Sequence, residues 1–143
     1  MVKDQEIKAQ HLIFEESIHT VADCVEVSGF PIDEITKSII MIGNDSETIV
    51  ALVPAKFRAS TKRVGKILGC PPPVIATEEQ ILERTGYPAG GVPFIGYPAI
   101  RLVDPKIMEL EYIYTGGGSN RSLLKLWINE IKKLKPIIKR VRN

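Results

Sequence analysis

Cysteine is scarce in this chain: Cys24 and Cys70 are the only two among 143 residues, far apart and in no CxxC pair. Thiolate metal sites and redox dithiols need close spacing, and a disulfide framework needs more cysteines, so none of the three is indicated. His11 and His19 are the only histidines, and neither stands in a metal-ligand spacing. Read from the residues alone, they are ordinary surface or capping groups. No serine or cysteine lies in a nucleophile-elbow context, and no HxE or paired-carboxylate pattern stands out. An enzyme with this sequence therefore relies on backbone dipoles, one or two side chains and the substrate itself. Aromatic residues make up 6% of the chain, too few to signal a base-stacking platform. The N-terminal residues are polar and mixed in charge (Lys3, Asp4, Glu6, Lys8), and no apolar run approaches a membrane span. Neither a signal peptide nor an anchor is expected, and the expected location is the cytoplasm.

Glycine is concentrated instead. One stretch runs Gly86-Tyr87-Pro88-Ala89-Gly90-Gly91-Val92-Pro93-Phe94-Ile95-Gly96, and a second runs Thr115-Gly116-Gly117-Gly118-Ser119. Glycine lets a ligand or another backbone approach main-chain N–H groups closely, while Pro88 and Pro93 stiffen the first stretch. The pair suggests the wall of a pocket. Neither is a phosphate motif, because no Gly-Lys-Ser/Thr closes the first and no GxGxxG frames the second. A nucleotide or phosphate binder using the second stretch lacks the lysine and acidic partner that it needs.

Charge is nearly balanced, 19 basic against 17 acidic residues, but unevenly placed. Lys56, Arg58, Lys62, Arg63 and Lys66 form a mid-chain basic group. From Ile131 onward come Lys132, Lys133, Lys135, Lys139, Arg140 and Arg142 with no acidic residue. Each cluster reads either as a solvated face or as a surface for a polyanion.

At 44% hydrophobic, the chain is long enough for one domain with a proper core, spanning residues 1–143 with a basic tail from about 131. Residues Asp4 to Ser17 have a weakly helical period. Thr20 is placed to cap a helix through Ser28, with Gly29 as its stop. Ser38 to Ile42 and Thr48 to Val53 read as a hairpin across Gly43 to Glu47. Ser60 or Thr61 starts a helix that ends at Gly69. Val74 to Ala76 is a short strand, and Thr77 with Gln80 makes a capping box for a helix stopped by Gly86. Ile100 to Val103 and Tyr112 to Tyr114 are further strands, while Arg121 to Leu134 fits helix or, at its start, strand. Strands interrupted by short helices, without regular βαβ alternation, predict an α+β fold on a curved mixed sheet.

Two charged residues stand out against this frame. Lys37 enters an apolar strand, Lys37-Ser38-Ile39-Ile40-Met41-Ile42, where a lysine ordinarily snorkels to solvent. Asp104 follows Ile100 to Val103 and precedes Pro105, an ordinary place for a turn residue.

Taken in order, Lys37 at a strand start, Gly86 to Gly96, Leu102-Val103-Asp104 and Gly116-Gly117-Gly118-Ser119 resemble the YbaK/prolyl-tRNA synthetase-associated editing domain family. The resemblance runs from about Thr20 to Leu134. It implies a curved, barrel-like mixed sheet with surrounding helices, and hydrolysis of wrongly charged aminoacyl-tRNA by a free-standing domain. It implies Lys37 as the essential lysine at the aminoacyl ester and terminal ribose, and Gly90 and Gly91 as backbone donors to the substrate carbonyl. Asp104 and the turn from Gly116 to Ser119 become the opposite wall. Tyr87, Val92, Pro93, Phe94 and Gly96 become the substrate-binding lining. Phe94 stands where the family loop often has a second proline.

The mechanism implied is substrate-assisted, through the terminal ribose hydroxyl or, for cysteine, the substrate thiol, with no cofactor and no metal. The amino acid removed is small, of cysteine, alanine or proline-type mischarging. Lys56, Arg58, Lys62, Arg63 and Lys66 then serve the tRNA acceptor end, and a synthetase is a further partner. A non-catalytic module of the same fold, binding tRNA or a synthetase, is the alternative.

Overall fold

The computed structural model describes residues 7–143. Strand β1 (Ala9–Ile13) is followed by helix α1 (Val21–Ser28), then β2 (Thr36–Ile42), β3 (Thr48–Pro54) and α2 (Thr61–Leu68). Next come β4 (Val74–Ile75), α3 (Glu78–Thr85), β5 (Ile100–Val103), β6 (Tyr112–Gly116), β7 (Ser122–Trp127), α4 (Ile128–Lys132) and β8 (Ile137–Ile138). The strands form a three-stranded sheet, β1-β7-β6, and a five-stranded sheet, β4-β2-β3-β5-β8. β3 pairs antiparallel with β2 and parallel with β5, so the larger sheet is mixed. The α+β reading holds. The barrel-like wording does not carry over, because the strand orders describe two open sheets. An isolated bridge between Ile35 and Tyr114, and the Thr36 hydroxyl donating to the Tyr114 carbonyl at 2.9 Å, join them without closing a ring.

Local chemistry sets most boundaries. Thr20 accepts the Asp23 N–H at 3.0 Å to begin α1, and Gly29 ends it in the left-handed region. Ser60 caps α2 in the same way, and Thr77 with Gln80 forms the expected capping box on α3. The stretch read as weakly helical is β1 instead, held in register by β7 from Ala9 opposite Leu126 to Ile13 opposite Ser122. Asp4 to Glu6, the start of that stretch, lie outside the described residues. The ambiguous stretch from Arg121 divides into β7 and then α4.

The main core lies between the sheets, with Ile40, Val50, Leu52, Phe94, Ile113, Leu126 and Ile131 all buried. A second cluster packs Val64 of α2 on Met41, Ile49, Ala51 and Leu102, across the other face of the five-stranded sheet. The basic segment after Ile131 is built in. β8 pairs with β5, Val141 is buried, and the Ser60 N–H donates to the Val141 carbonyl at 2.7 Å.

Candidate active site

A cleft of about 220 Å³ opens where the N-terminal end of α1, the start of β2, the loop at 89–92 and the adjoining ends of β6 and β7 meet. Lys37, Gly90, Gly91, Val92 and Gly116 line it together with His19, Cys24 and Leu123. β2 is fixed at this point by its neighbours: Thr36 bonds to β6, and the Ser38 hydroxyl lies 3.2 Å from that of Thr115. Lys37 between them is half-buried, and among the described residues its ammonium has no hydrogen bond or ion pair. Burial, helped by the positive charge of Arg58, holds its pKa below the ordinary lysine value.

Main chain forms the facing wall. The Gly118 N–H donates to the Gly91 carbonyl at 2.7 Å, joining the two glycine stretches directly. A Cβ on Gly91 would overlap the Ser119 backbone, and one on Gly116 would overlap the Val92 carbonyl. Close approach, more than conformational freedom, explains glycine at these two positions. The Gly91 N–H is engaged inside its own turn, donating to the Pro88 carbonyl at 3.0 Å. Among the described residues the Gly90 and Val92 N–H groups make no hydrogen bond, and both residues line the cleft.

The other residues read from the sequence disperse. Asp104 does not line the cleft. Its buried carboxylate accepts the Val141 N–H at 3.0 Å, the Arg142 N–H at 3.2 Å and the Lys106 N–H at 3.1 Å, and pairs with the Arg142 guanidinium at 2.6 Å. It anchors the C-terminal segment. Phe94 is wholly buried in the core, where no base can reach it. Tyr87, Pro93 and Gly117 line a separate apolar hollow with His11 and Leu124. Gly96 and Gly118 take positive φ, 104° and 102°, beside the Tyr87 ring. The Ser119 hydroxyl lies 2.8 Å from that of Ser122.

Of the mid-chain basic group, Lys56 pairs with Asp33 at 2.6 Å, while Lys62, Arg63 and Lys66 are exposed on α2. Arg58 is exposed as well, and its carbonyl accepts the Asn143 N–H at 2.9 Å.

Sequence reading passed over two residues. Arg101 on β5 clamps the first glycine stretch from beneath, donating to the carbonyls of Phe94 at 2.9 Å and Tyr97 at 2.5 Å. An arginine inside an apolar strand is the signal that could have found it. His19 packs on Gly90 at the cleft rim. Its place one residue before the N-cap of α1 was visible in the sequence, but the loop it meets was not. Cys24 also reaches the cleft, yet burial pushes its thiol pKa up, away from the thiolate that nucleophilic attack requires.

Comparison with known proteins identifies the family. Residues 15–134 match the family model described as the aminoacyl-tRNA editing domain. The proline–tRNA ligase of Thermosipho melanesiensis is 27% identical over 128 residues, 90% of this chain but only 22% of the ligase. The chain thus spans about a fifth of the ligases that it matches. The Bacillus subtilis (strain 168) protein YwhH, itself uncharacterized, is 25% identical over 84% of this chain and 77% of its own length. A crystal structure of a hypothetical protein superposes with a TM-score of 0.90 at 26% identity, covering 99% of this chain and 96% of that one. A candidate trans-editing enzyme for prolyl tRNA synthetase gives 0.86 at 22% identity, covering 99% and 92%, a likeness of fold. With the family model extending over both glycine stretches, Lys37 and β7, the chain belongs to the aminoacyl-tRNA editing domain family.

Proposed function

We propose that this protein hydrolyses the ester of wrongly charged aminoacyl-tRNA in trans, removing a small amino acid. The observation that carries this reading is the cleft itself: a half-buried lysine without a partner among the described residues faces a main-chain wall with open N–H donors. Ester hydrolysis develops negative charge on the carbonyl oxygen, and fixed donors in a partly dry site stabilise it. The Gly90 and Val92 amides serve that oxygen, while Gly91 holds the wall in shape. Lys37 binds at the ester and terminal ribose, and a ribose hydroxyl or the thiol of a cysteinyl substrate assists the attack. No protein nucleophile is required once the reactants are aligned. Lys62, Arg63 and Lys66 face the phosphates of the acceptor end, with Arg58 nearer the cleft.

The test is a deacylation screen over a panel of mischarged tRNAs, using the wild-type protein and Lys37→Ala. Turnover of at least one small aminoacyl ester, and its loss by about 10²–10³-fold in the variant, is the expected result. A variant that folds and turns over at the wild-type rate makes Lys37 structural. Binding of aminoacyl-tRNA without turnover establishes the non-catalytic module instead.

A further inference from the structure

Among the described residues, three ionisable side chains reach the cleft: Lys37, Cys24 and His19. Lys37 is assigned above to the ester and terminal ribose, and burial raises the Cys24 thiol pKa. Neither is the usual choice to take a proton in ester hydrolysis, whereas imidazole is the commonest general base.

The geometry of His19 supports such a task. Its backbone is held on both sides: the Ile18 N–H donates to the Asn120 carbonyl at 2.7 Å, and Thr20 caps α1. Its ring lies across Gly90 with the Nδ1–Cε1 edge against the glycine, so that a Cβ there would overlap Nδ1. Nε2 is the more distant nitrogen, and among the described residues neither nitrogen is in a hydrogen bond. The ring is exposed at the cleft rim beside Gly90, whose amide is assigned above to the oxyanion. The titratable groups on the elements around it are Lys37 on β2, Asp23, Cys24 and Glu26 on α1, Tyr112 and Tyr114 on β6 and Lys125 on β7, with Arg121 before β7 and Glu15 and Glu16 on its own segment.

We infer that His19 is a catalytic proton-transfer residue of this cleft, an assignment that rests on the deacylase reading. For substrates without a thiol, water oriented by the ribose hydroxyl attacks the ester carbonyl carbon while its proton passes to Nε2. The tetrahedral intermediate then breaks the carbon–oxygen bond to the ribose, and the leaving oxygen takes the proton back from the imidazolium. Ester and water become free amino acid and a terminal ribose hydroxyl, with no change of oxidation state. Glycine at position 90 is what lets the ring lie where it does.

The experiment is the pH profile of deacylation, corrected for spontaneous hydrolysis, for wild type, His19→Gln, Gly90→Ala and Lys37→Ala. His19 is exposed, so its replacement is expected to leave the fold intact. His19→Gln should lose about 10²–10⁴-fold in kcat with KM unchanged. It should also flatten the pH profile relative to the wild type, and added imidazole should restore part of the rate. Gly90→Ala, which displaces the ring, should move kcat in the same direction. If His19→Gln keeps the wild-type rate and profile while Lys37→Ala is inactive, the assignment of His19 falls and the deacylase reading stands. A lower rate with an unchanged pH profile likewise overturns proton transfer. A wild-type protein inactive on every substrate of the panel overturns both.

Discussion

Lys37 and Asp104 flank the same end of β3 and finish in opposite states. Lys37 stands opposite Val53 on one side, while on the other the Asp104 N–H donates to the Leu52 carbonyl at 3.0 Å. Asp104 is buried, and its carboxylate accepts hydrogen bonds from three backbone N–H groups and one guanidinium. Lys37 is half-buried beside an open cleft, and nothing among the described residues engages its charge. A buried charge with all its partners in place holds structure together. A charge kept free next to a cavity is available to a ligand.

Removing Asp104 should break the first half of this contrast most severely. Asp104→Ala leaves the Arg142 guanidinium and three backbone N–H groups without their acceptor, and is expected to cost about 3–5 kcal/mol in urea unfolding. Deacylation per folded molecule should change little. A loss below about 1 kcal/mol would show that the clasp is not what anchors the C-terminal segment.

Exposed charge supplies a third case. If three to five phosphate contacts form, log K for aminoacyl-tRNA should fall against log salt with a slope of about −2 to −4.5. Neutralising Lys62, Arg63 and Lys66 together should flatten that slope and raise KM, with less effect on the saturated rate. Equal slopes for wild type and the triple variant would place the RNA away from α2.

Replacing Cys24 and Cys70 by serine should change the deacylation rate by no more than about twofold, since the proposed mechanism gives neither thiol a role. A covalent adduct trapped on Cys24 would transfer the chemistry from the main-chain wall to that thiol.

The smallest effect concerns the cost of leaving Lys37 free. With its folded-state pKa below the unfolded value, the unfolded chain binds more protons between the two, so stability rises with pH across that alkaline window. Lys37→Met should flatten this rise, and Arg58→Ala should reduce it in part. Thermal unfolding measured at increasing alkaline pH gives the comparison, and a wild-type curve that falls throughout would contradict the lowered lysine.

What the sequence made legible is what is encoded within a few residues. Thr20, Ser60 and Thr77 announce their helices because a cap and its target lie three residues apart. Both glycine stretches stood out from local pattern and Lys37 took its role from the family resemblance, and three stretches of chain bring them to one cleft. Asp104 was read as a wall of the site because its partners, Val141 and Arg142, lie 37 and 38 residues away. β1 looked helical because its register comes from β7, more than a hundred residues later. β7 itself lacks alternation because Ser122, Leu123 and Leu124 are all buried: Leu124 enters the main core, and Leu123 packs with Tyr114 and Cys24 on the other face. Phe94, read as lining, proved to be core for the same reason: burial is decided by the assembled fold.

The bond from Gly118 to Gly91 separates the frame of the cleft from its upholstery. Donors and wall belong to two interlocked loops whose shape depends on backbone, whereas Ile18, Val21 and Leu123 contribute side chains to the rest of the lining. Exchanging those three resizes the space without moving the amides. If the cleft holds the amino acid as proposed, a fold built this way can be retuned by ordinary apolar substitutions, and a directed library confined to those positions should yield altered selectivity far more often than one aimed at the glycines.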